Sequence, residues 1–137
     1  MPQYISGITL LVHNQDKAIE FFTSKLSFNL LEDTIVSPTK RWVVVAPSGN
    51  GNCAVILSQA NSAEQKGSVG NQTAGKVIAV IKTDSFDKDV ERMKANGISF
   101  ERGPEVAPWG KVAIFKDLYG NLWDLVGTGR KTSIMKV

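Results

Sequence analysis

Alternating and helically spaced apolar side chains divide the first half of the chain into one helix and four strands. Residues 4–12 are rich in Ile, Leu and Val, which predicts a buried strand. A polar stretch follows, and then Ile19, Phe22 and Leu26 recur at helical spacing, so we expect an amphipathic helix capped by Asn14. Three further strand-like segments complete this half, at residues 28–35, 41–46 and 53–58.

The second half of the chain predicts the same order of elements. Residues 76–82 indicate a strand, and a helix follows with Asp84 as its candidate cap and Asn96-Gly97 at its end. The apolar face of this helix consists of Phe86, Val90 and Met93. Further strands are predicted at 98–102, 111–116 and 121–127, with turns at 103–104 and 119–121.

Short sequence matches support an internal repeat. Residues 16–20 (DKAIE) correspond to residues 87–91 (DKDVE) roughly 70 positions later. The chain is therefore predicted to be a single α+β domain, residues 4–128, built from tandem βαβββ modules. Its parts are module one at 4–58, a non-periodic linker at 59–75, module two at 76–128 and a basic C-terminal tail at 129–137.

Several motifs, taken in order, resemble a known family. They are the helix segment NQDKAIEFF at 14–22, the turn LSF at 26–28, the run RWVVVAP at 41–47 and the ending FKDLYGNLWDL at 115–125. Leu118 stands where the family's F-x-D-P-x-G-N ending usually has proline. The chain thus resembles the vicinal oxygen chelate superfamily, which includes glyoxalase, bleomycin-resistance and extradiol dioxygenase proteins. The resemblance implies a curved, cup-shaped mixed sheet with helices on the outside and small molecules bound in the cup.

Enzymes of this superfamily hold a divalent metal with one ligand from each of four strands. The resemblance maps those four positions to Gly7, Leu57, Val77 and Asp124. Only Asp124 can bind a cation, whereas a site for Zn, Fe or Ni needs three or four protein ligands. We therefore predict no metal and no other cofactor, as in the drug-binding branch of the family.

Six residues are candidates for binding a ligand: Trp42, Leu57, Trp109, Lys111, Phe115 and Asp124. Trp42 is either an aromatic wall or a core residue, and Trp109 is either a pocket rim or a cap on the core. Lys111 is predicted to meet an anion, neutralise Asp124 or remain solvated. Phe115 is expected at the pocket floor or in the core. Asp124 is a candidate anchor for a cationic group, a candidate acid–base residue or a structural acceptor.

Charge and composition exclude several other classes of protein. The net charge of +3 comes from the tail, because removing its three basic residues leaves 16 − 3 = 13 basic against 13 acidic residues. We therefore expect no nucleic-acid partner, and no apolar run is long enough to predict a membrane helix. One cysteine and one histidine build neither a disulfide framework nor a multi-histidine site. Cys53 is predicted to be a buried inert thiol, His13 to face solvent, and the protein to be cytoplasmic.

The first functional hypothesis is a metal-free small-molecule-binding protein that forms a homodimer and resembles the bleomycin-resistance branch. The alternative is a glyoxalase-like lyase, an isomerase or a dioxygenase-like enzyme with an atypical site, with Asp124 as the candidate acid–base residue. A third hypothesis is an interaction subunit whose cup is filled by its own side chains.

Overall fold

The computed structural model describes residues 2–47 and 53–128. The chain divides between Gln72 and Thr73 into two compact units, called unit 1 and unit 2 below. Each unit contains the βαβββ order, which confirms the α+β class and the repeated module.

The described residues of unit 1 form four strands, two short α-helices and a π-helical turn. The π-helical turn, Phe21–Lys25, directly continues the first helix. The elements are β1 Gly7–Val12, α1 Gln15–Glu20, β2 Asn29–Ser37, β3 Lys40–Ala46, β4 Ala54–Gln59 and α2 Ala63–Ser68.

In unit 2, the part of the chain up to residue 128 forms four strands and one longer helix. The elements are β5 Val77–Thr83, α3 Phe86–Ala95, β6 Phe100–Ala107, β7 Gly110–Lys116 and β8 Leu122–Gly127. The predicted turn at Asn96-Gly97 ends α3, and Gly97 takes a positive φ of 82°.

The two sheets share one topology. Their strand orders are β1-β4-β3-β2 and β5-β8-β7-β6. The first and last strands of each unit pair in parallel, while the other neighbours are antiparallel, so both sheets are mixed.

In unit 1, the apolar core lies on the sheet face that carries α1, called the helix face. Alternate strand residues such as Leu10, Val43 and Leu57 are almost fully buried there. The aromatic pair Phe21 and Phe22 packs edge to face with ring centroids 5.4 Å apart. Burial of this apolar surface is what holds α1 on the sheet, because six residues are too few to form a stable isolated helix.

In unit 2, the apolar stripe of α3 is buried, as the helical spacing predicts, and so are the alternate residues on one face of its sheet. Phe86 lies so close to β8 that a Cβ at Gly127 would stand 3.2 Å from its Cβ. Phe115 and Trp123 stack in the same core with centroids 6.3 Å apart. This face is the helix face of unit 2. The opposite, alternate residues of each sheet define its free face.

Some predicted boundaries differ from the structure. The six-residue helix α2 lies inside the predicted linker, where the Ser62 side chain caps it by accepting from the Gln65 amide. The N-cap of α3 is Ser85 rather than Asp84. The predicted turn at Gly103-Pro104 lies within β6, at a register shift between Arg102 and Glu105. The predicted turn residues 48–52 and the tail from residue 129 lie outside the described residues.

Candidate functional site

One row of paired residues crosses the free face of unit 2. Val80 on β5 is in register with Asp124 on β8, Asp124 with Ile114 on β7, and Ile114 with Arg102 on β6. Because directly paired residues project to the same side of a sheet, these four side chains share the free face. A single carboxylate therefore stands between two aliphatic neighbours, with one arginine at the far edge.

The Asp124 carboxylate lacks a hydrogen-bond donor among the residues described. Its Oδ1 atom is buried, and no group in that part of the chain donates to it. Burial raises the pKa of Asp124 above its ordinary value, while the positive charge of Arg102 acts in the opposite direction. The residue is only partly exposed to solvent. The free face thus holds an acceptor that the fold itself leaves unsatisfied.

The centre of the equivalent row in unit 1 carries no carboxylate. Thr9 is in register with Ile56, Ile56 with Val44, and Val44 with Glu32. Ile56 occupies the position in β4 that Asp124 occupies in β8, because each pairs with the corresponding residue of the neighbouring strand. The repeated framework therefore carries an aliphatic side chain in one unit and a carboxylate in the other.

The side chains present do not fit a metal of the kind found in the family's enzymes. Among the described residues, no group of three or more His, Cys, Asp or Glu side chains is close enough to hold an ion. At Gly7, an added Cβ would lie 3.1 Å from Ile56 Cδ1, so a neighbouring aliphatic group crowds that predicted ligand position. Val77 offers no donor atom on its side chain. Asp124 would be one ligand where three or four are needed.

The structure places Trp42 at a cavity of about 740 Å³ within unit 1. Trp42 is half-buried, lies on the free face two residues along β3 from Val44, and has the Lys40 Nζ atom 6.0 Å from its ring centroid. Leu57 borders the same cavity, but its side chain belongs to the helix face and is 0% exposed. Of these two predicted residues, Trp42 is the one whose side chain shares the free face.

Trp109 and Lys111 lie together at a second cavity, of about 720 Å³, within unit 2. Trp109 is 40% exposed in the turn between β6 and β7. The Lys111 Nζ atom donates to both carboxylate oxygens of Asp87 on α3, at 2.7 and 3.0 Å. Lys111 is therefore paired toward the helix and does not neutralise Asp124.

Phe115 lies on the helix face and is 0% exposed, in the core of unit 2. Of the six predicted residues, Leu57 and Phe115 thus belong to the helix-face cores, and the other four separate into three groups. Trp42 belongs to a cavity of unit 1, Asp124 to the free face of unit 2, and Trp109 with Lys111 to the other cavity of unit 2.

The motif at residues 115–125 also contains a buried structural carboxylate. Asp117 Oδ1 accepts from the backbone amides of Tyr119, Gly120 and Asn121, at 3.0, 3.1 and 3.0 Å. Its Oδ2 accepts from Asn121 Nδ2 at 3.0 Å and from Trp123 Nε1 at 2.9 Å. This carboxylate fixes the turn into β8 and orients the strand that carries Asp124. The D-x-x-G-N spacing at residues 117–121 could have predicted this turn-forming carboxylate, but the sequence analysis used the motif only as evidence of the family resemblance.

Two single-copy residues lie away from these places. Cys53 is exposed, so the expectation that it is buried is wrong; it precedes β4 rather than belonging to the strand core. His13 is exposed, as predicted. No helix in the described part of the chain is long and apolar enough to cross a bilayer.

Together these features define a class: a protein of two βαβββ units, each folded on its own mixed four-stranded sheet. The model of the Glyoxalase/Bleomycin resistance protein/Dioxygenase superfamily matches residues 4–125. The chain therefore belongs to that superfamily, which confirms the resemblance seen in its motifs.

Two bacterial relatives match almost the whole chain. An uncharacterized protein of Shewanella frigidimarina (strain NCIMB 400) is 44% identical over 135 residues, covering 98% of this chain and 100% of that protein. YetH, an uncharacterized protein of Bacillus subtilis (strain 168), is 30% identical over 126 residues, covering 90% and 97%. Similarity over the full length of each relative indicates that the same tandem module is shared.

Solved structures of the superfamily share the fold. UcmS2 has a TM-score of 0.81 at 24% identity, with 92% of this chain and 98% of that chain covered. TnmS3, an antibiotic binding protein from Streptomyces sp. CB03234, has a TM-score of 0.77 at 26% identity, with 93% and 98% covered. The fold of this chain is thus one on which a small-molecule-binding protein is built.

Proposed function

We propose that this protein binds a small organic molecule without a metal ion, and that Asp124 receives a cationic or hydrogen-bond-donating group of that molecule. One observation carries the proposal: Asp124 Oδ1 is buried on the free face of unit 2 without a donor among the described residues. A buried acceptor left unsatisfied costs about 1–3 kcal/mol, so a fold that retains one benefits when a ligand supplies the donor.

The surroundings of Asp124 favour binding over hydrolytic or metal chemistry. Val80 and Ile114 flank it in register and offer apolar surface without reactive groups. An apolar wall with one polar anchor is the usual composition of a small-molecule site, because the wall gives affinity and the anchor gives orientation. Burial raises the pKa of the Asp124 carboxyl, and a bound cation would lower it again by favouring the charged form.

The similarity to TnmS3 supports this proposal, since that protein is an antibiotic binding protein with the same fold. The donor set supports the metal-free part, because no group of three or more His, Cys, Asp or Glu side chains among the described residues is close enough to hold an ion. The proposal also includes a homodimer, in which a second copy covers apolar surface, and a cytoplasmic location, in keeping with a single unpaired cysteine. Sedimentation analysis of the purified chain measures the assembly: a two-chain mass supports the dimer, and a one-chain mass contradicts it.

Binding of charged and neutral fragments tests the central proposal. We expect a planar ammonium probe, 1-naphthylmethylammonium, to bind the EDTA-treated protein and to bind Asp124→Asn roughly tenfold more weakly, since a charge-assisted contact is lost. Glu91→Gln is the matched control, because Glu91 is exposed on α3 and lines neither of the two cavities. Equal affinity for Asp124→Asn and the native chain would contradict the role of Asp124. Binding that requires an added metal would contradict the metal-free part.

A further inference from the structure

The cavity of unit 1 differs in charge from the face that carries Asp124. Its lining includes two cationic side chains, Lys40 and Arg41, and no carboxylate. The remaining lining is made of hydroxyl, amide and aliphatic groups together with the indole of Trp42. A site of this composition attracts anions, because a positive charge at its wall is not balanced from within.

Only one of the two cations is available to a ligand. The Arg41 guanidinium donates at 2.8 Å through Nε and Nη2 to Asp33 and through Nη1 to Asp16. These two carboxylates raise the pKa of Arg41 and occupy the N–H groups of its guanidinium that a ligand would otherwise contact. Lys40, in contrast, forms no ion pair within residues 2–47 and 53–128.

The wall of the cavity is held in place by the fold. The Gln15 side chain is 7% exposed, and its Nε2 atom donates to the carbonyl oxygens of Arg41 and Leu57 at 3.0 and 2.8 Å. This bond pair ties α1 to β3 and β4 where both strands border the cavity. The Trp42 ring therefore projects from a strand whose position is fixed, and it offers a preformed stacking surface.

The distance between Lys40 and Trp42 limits the ligand. The ammonium lies 6.0 Å from the ring centroid. A flat ring stacked on Trp42 at about 3.5 Å would bring a substituent on its edge within reach of Lys40. A cavity of about 740 Å³ accommodates a molecule of two or three fused rings.

We propose that this cavity binds an aromatic anion, its ring stacked on Trp42 and its acidic group, attached to the ring or one bond away, paired with Lys40. The inference rests on the proposed function in one respect, that the protein binds small organic molecules. It adds a second place and a second ligand chemistry, confined to unit 1.

Three matched probes test it by calorimetry: 1-naphthoate, the neutral 1-naphthamide and the cationic 1-naphthylmethylammonium. We expect naphthoate to bind roughly tenfold more tightly than naphthamide, since a charge-assisted bond is added to the same ring. Lys40→Met keeps the aliphatic stem and should remove this preference while leaving naphthamide affinity unchanged. Trp42→Ala should weaken both probes. Lys66→Met, an exposed lysine on α2, is the control and should change neither.

The indole N–H signals in a nitrogen–proton spectrum locate the bound probe. Naphthoate should shift the Trp42 signal. It should not shift the signal of Trp123, which is buried in unit 2 and donates its indole N–H to Asp117. Equal affinity for naphthoate and naphthamide, or an unchanged preference in Lys40→Met, overturns this inference alone. If none of the three probes binds, both the inference and the proposed function fail, whereas binding of the ammonium probe alone leaves only the proposed function standing.

Discussion

Units 1 and 2 repeat one framework but not one chemistry. In each, a basic residue near the start of the third strand reaches an aspartate in the first turn of the helix: Arg41 to Asp16, and Lys111 to Asp87. In contrast, the central position of the free-face row is Ile56 in one unit and a carboxylate in the other. The repeat preserves an ion pair between the helix and the third strand, and it varies the residue at the centre of the free face.

The repeated framework was also the part of the structure that could be predicted from the sequence. Helical spacing and β-branched runs located the eight strands and the two longer helical segments of the described residues, because burial of one face imposes a period on the sequence. The helix α2 was missed because six polar and small residues have no such period, and a cap at Ser62 is its main signal. The tight turn into β8 was recognised, but its cause, the acceptor at Asp117, became visible only in the structure.

The site was harder to predict, because successive residues of a strand project to opposite faces of the sheet. Residues 54–57 form a continuous apolar run, so the sequence does not say which of Ile56 and Leu57 meets the helix. A one-residue change of register moves a side chain to the other face. In the structure, the strand register makes Arg41 the counterpart of Lys111 and Val112 the counterpart of Trp42.

The largest expected effect is at the turn of unit 2. Asp117→Ala leaves five donors without their acceptor, so we expect a loss of at least about 3 kcal/mol in the free energy of unfolding. Asp117→Asn keeps one oxygen acceptor for the backbone amides but turns an amide group toward Trp123, so its loss should be intermediate. Urea denaturation measures both variants. A loss below about 1 kcal/mol for the alanine variant would show that the turn does not depend on this carboxylate.

The edge of the unit 1 sheet should show a smaller effect. The Gln72 side chain acts like an added strand on β1: its Oε1 accepts from the Leu11 amide at 2.9 Å, and its Nε2 donates to the Thr9 carbonyl at 2.8 Å. Gln72→Ala should cost about 1 kcal/mol and speed hydrogen exchange at Leu11. Unchanged exchange at that amide would contradict the role of Gln72 at this edge.

The equivalent ion pairs of the two units should differ in strength. Arg41 contacts two carboxylates and is 27% exposed, whereas Lys111 contacts one and is 47% exposed. Solvent screens exposed pairs, so we expect Arg41→Met to cost about 1 kcal/mol and Lys111→Met no more than about 0.5 kcal/mol. Thermal melts at low and high salt compare them. A larger loss of stability for Lys111→Met than for Arg41→Met would contradict the proposed ranking of the two ion pairs.

The pH dependence of stability isolates the unsatisfied carboxylate. Because burial raises the folded-state pKa of Asp124 above its ordinary value of 3.8, the native state binds this proton more tightly than the unfolded state does. The folded protein therefore loses no stability through Asp124 below pH 3.8. The loss grows as pH rises toward the folded-state pKa, and it is complete above that pKa. Asp124→Asn should raise the melting temperature at pH 7, with the gain disappearing as pH falls below 3.8.

If Asp124 is retained for a ligand at the expense of stability, its replacement should change stability and ligand binding in opposite directions. Thermal melts of the native chain and Asp124→Asn at pH 7, each with and without 1-naphthylmethylammonium, measure the stability of each protein and the stabilisation that the probe adds. We expect the variant to be more stable than the native chain without the probe and to gain less stability from it. A variant that is less stable without the probe, or that gains as much from it as the native chain, would contradict the claim.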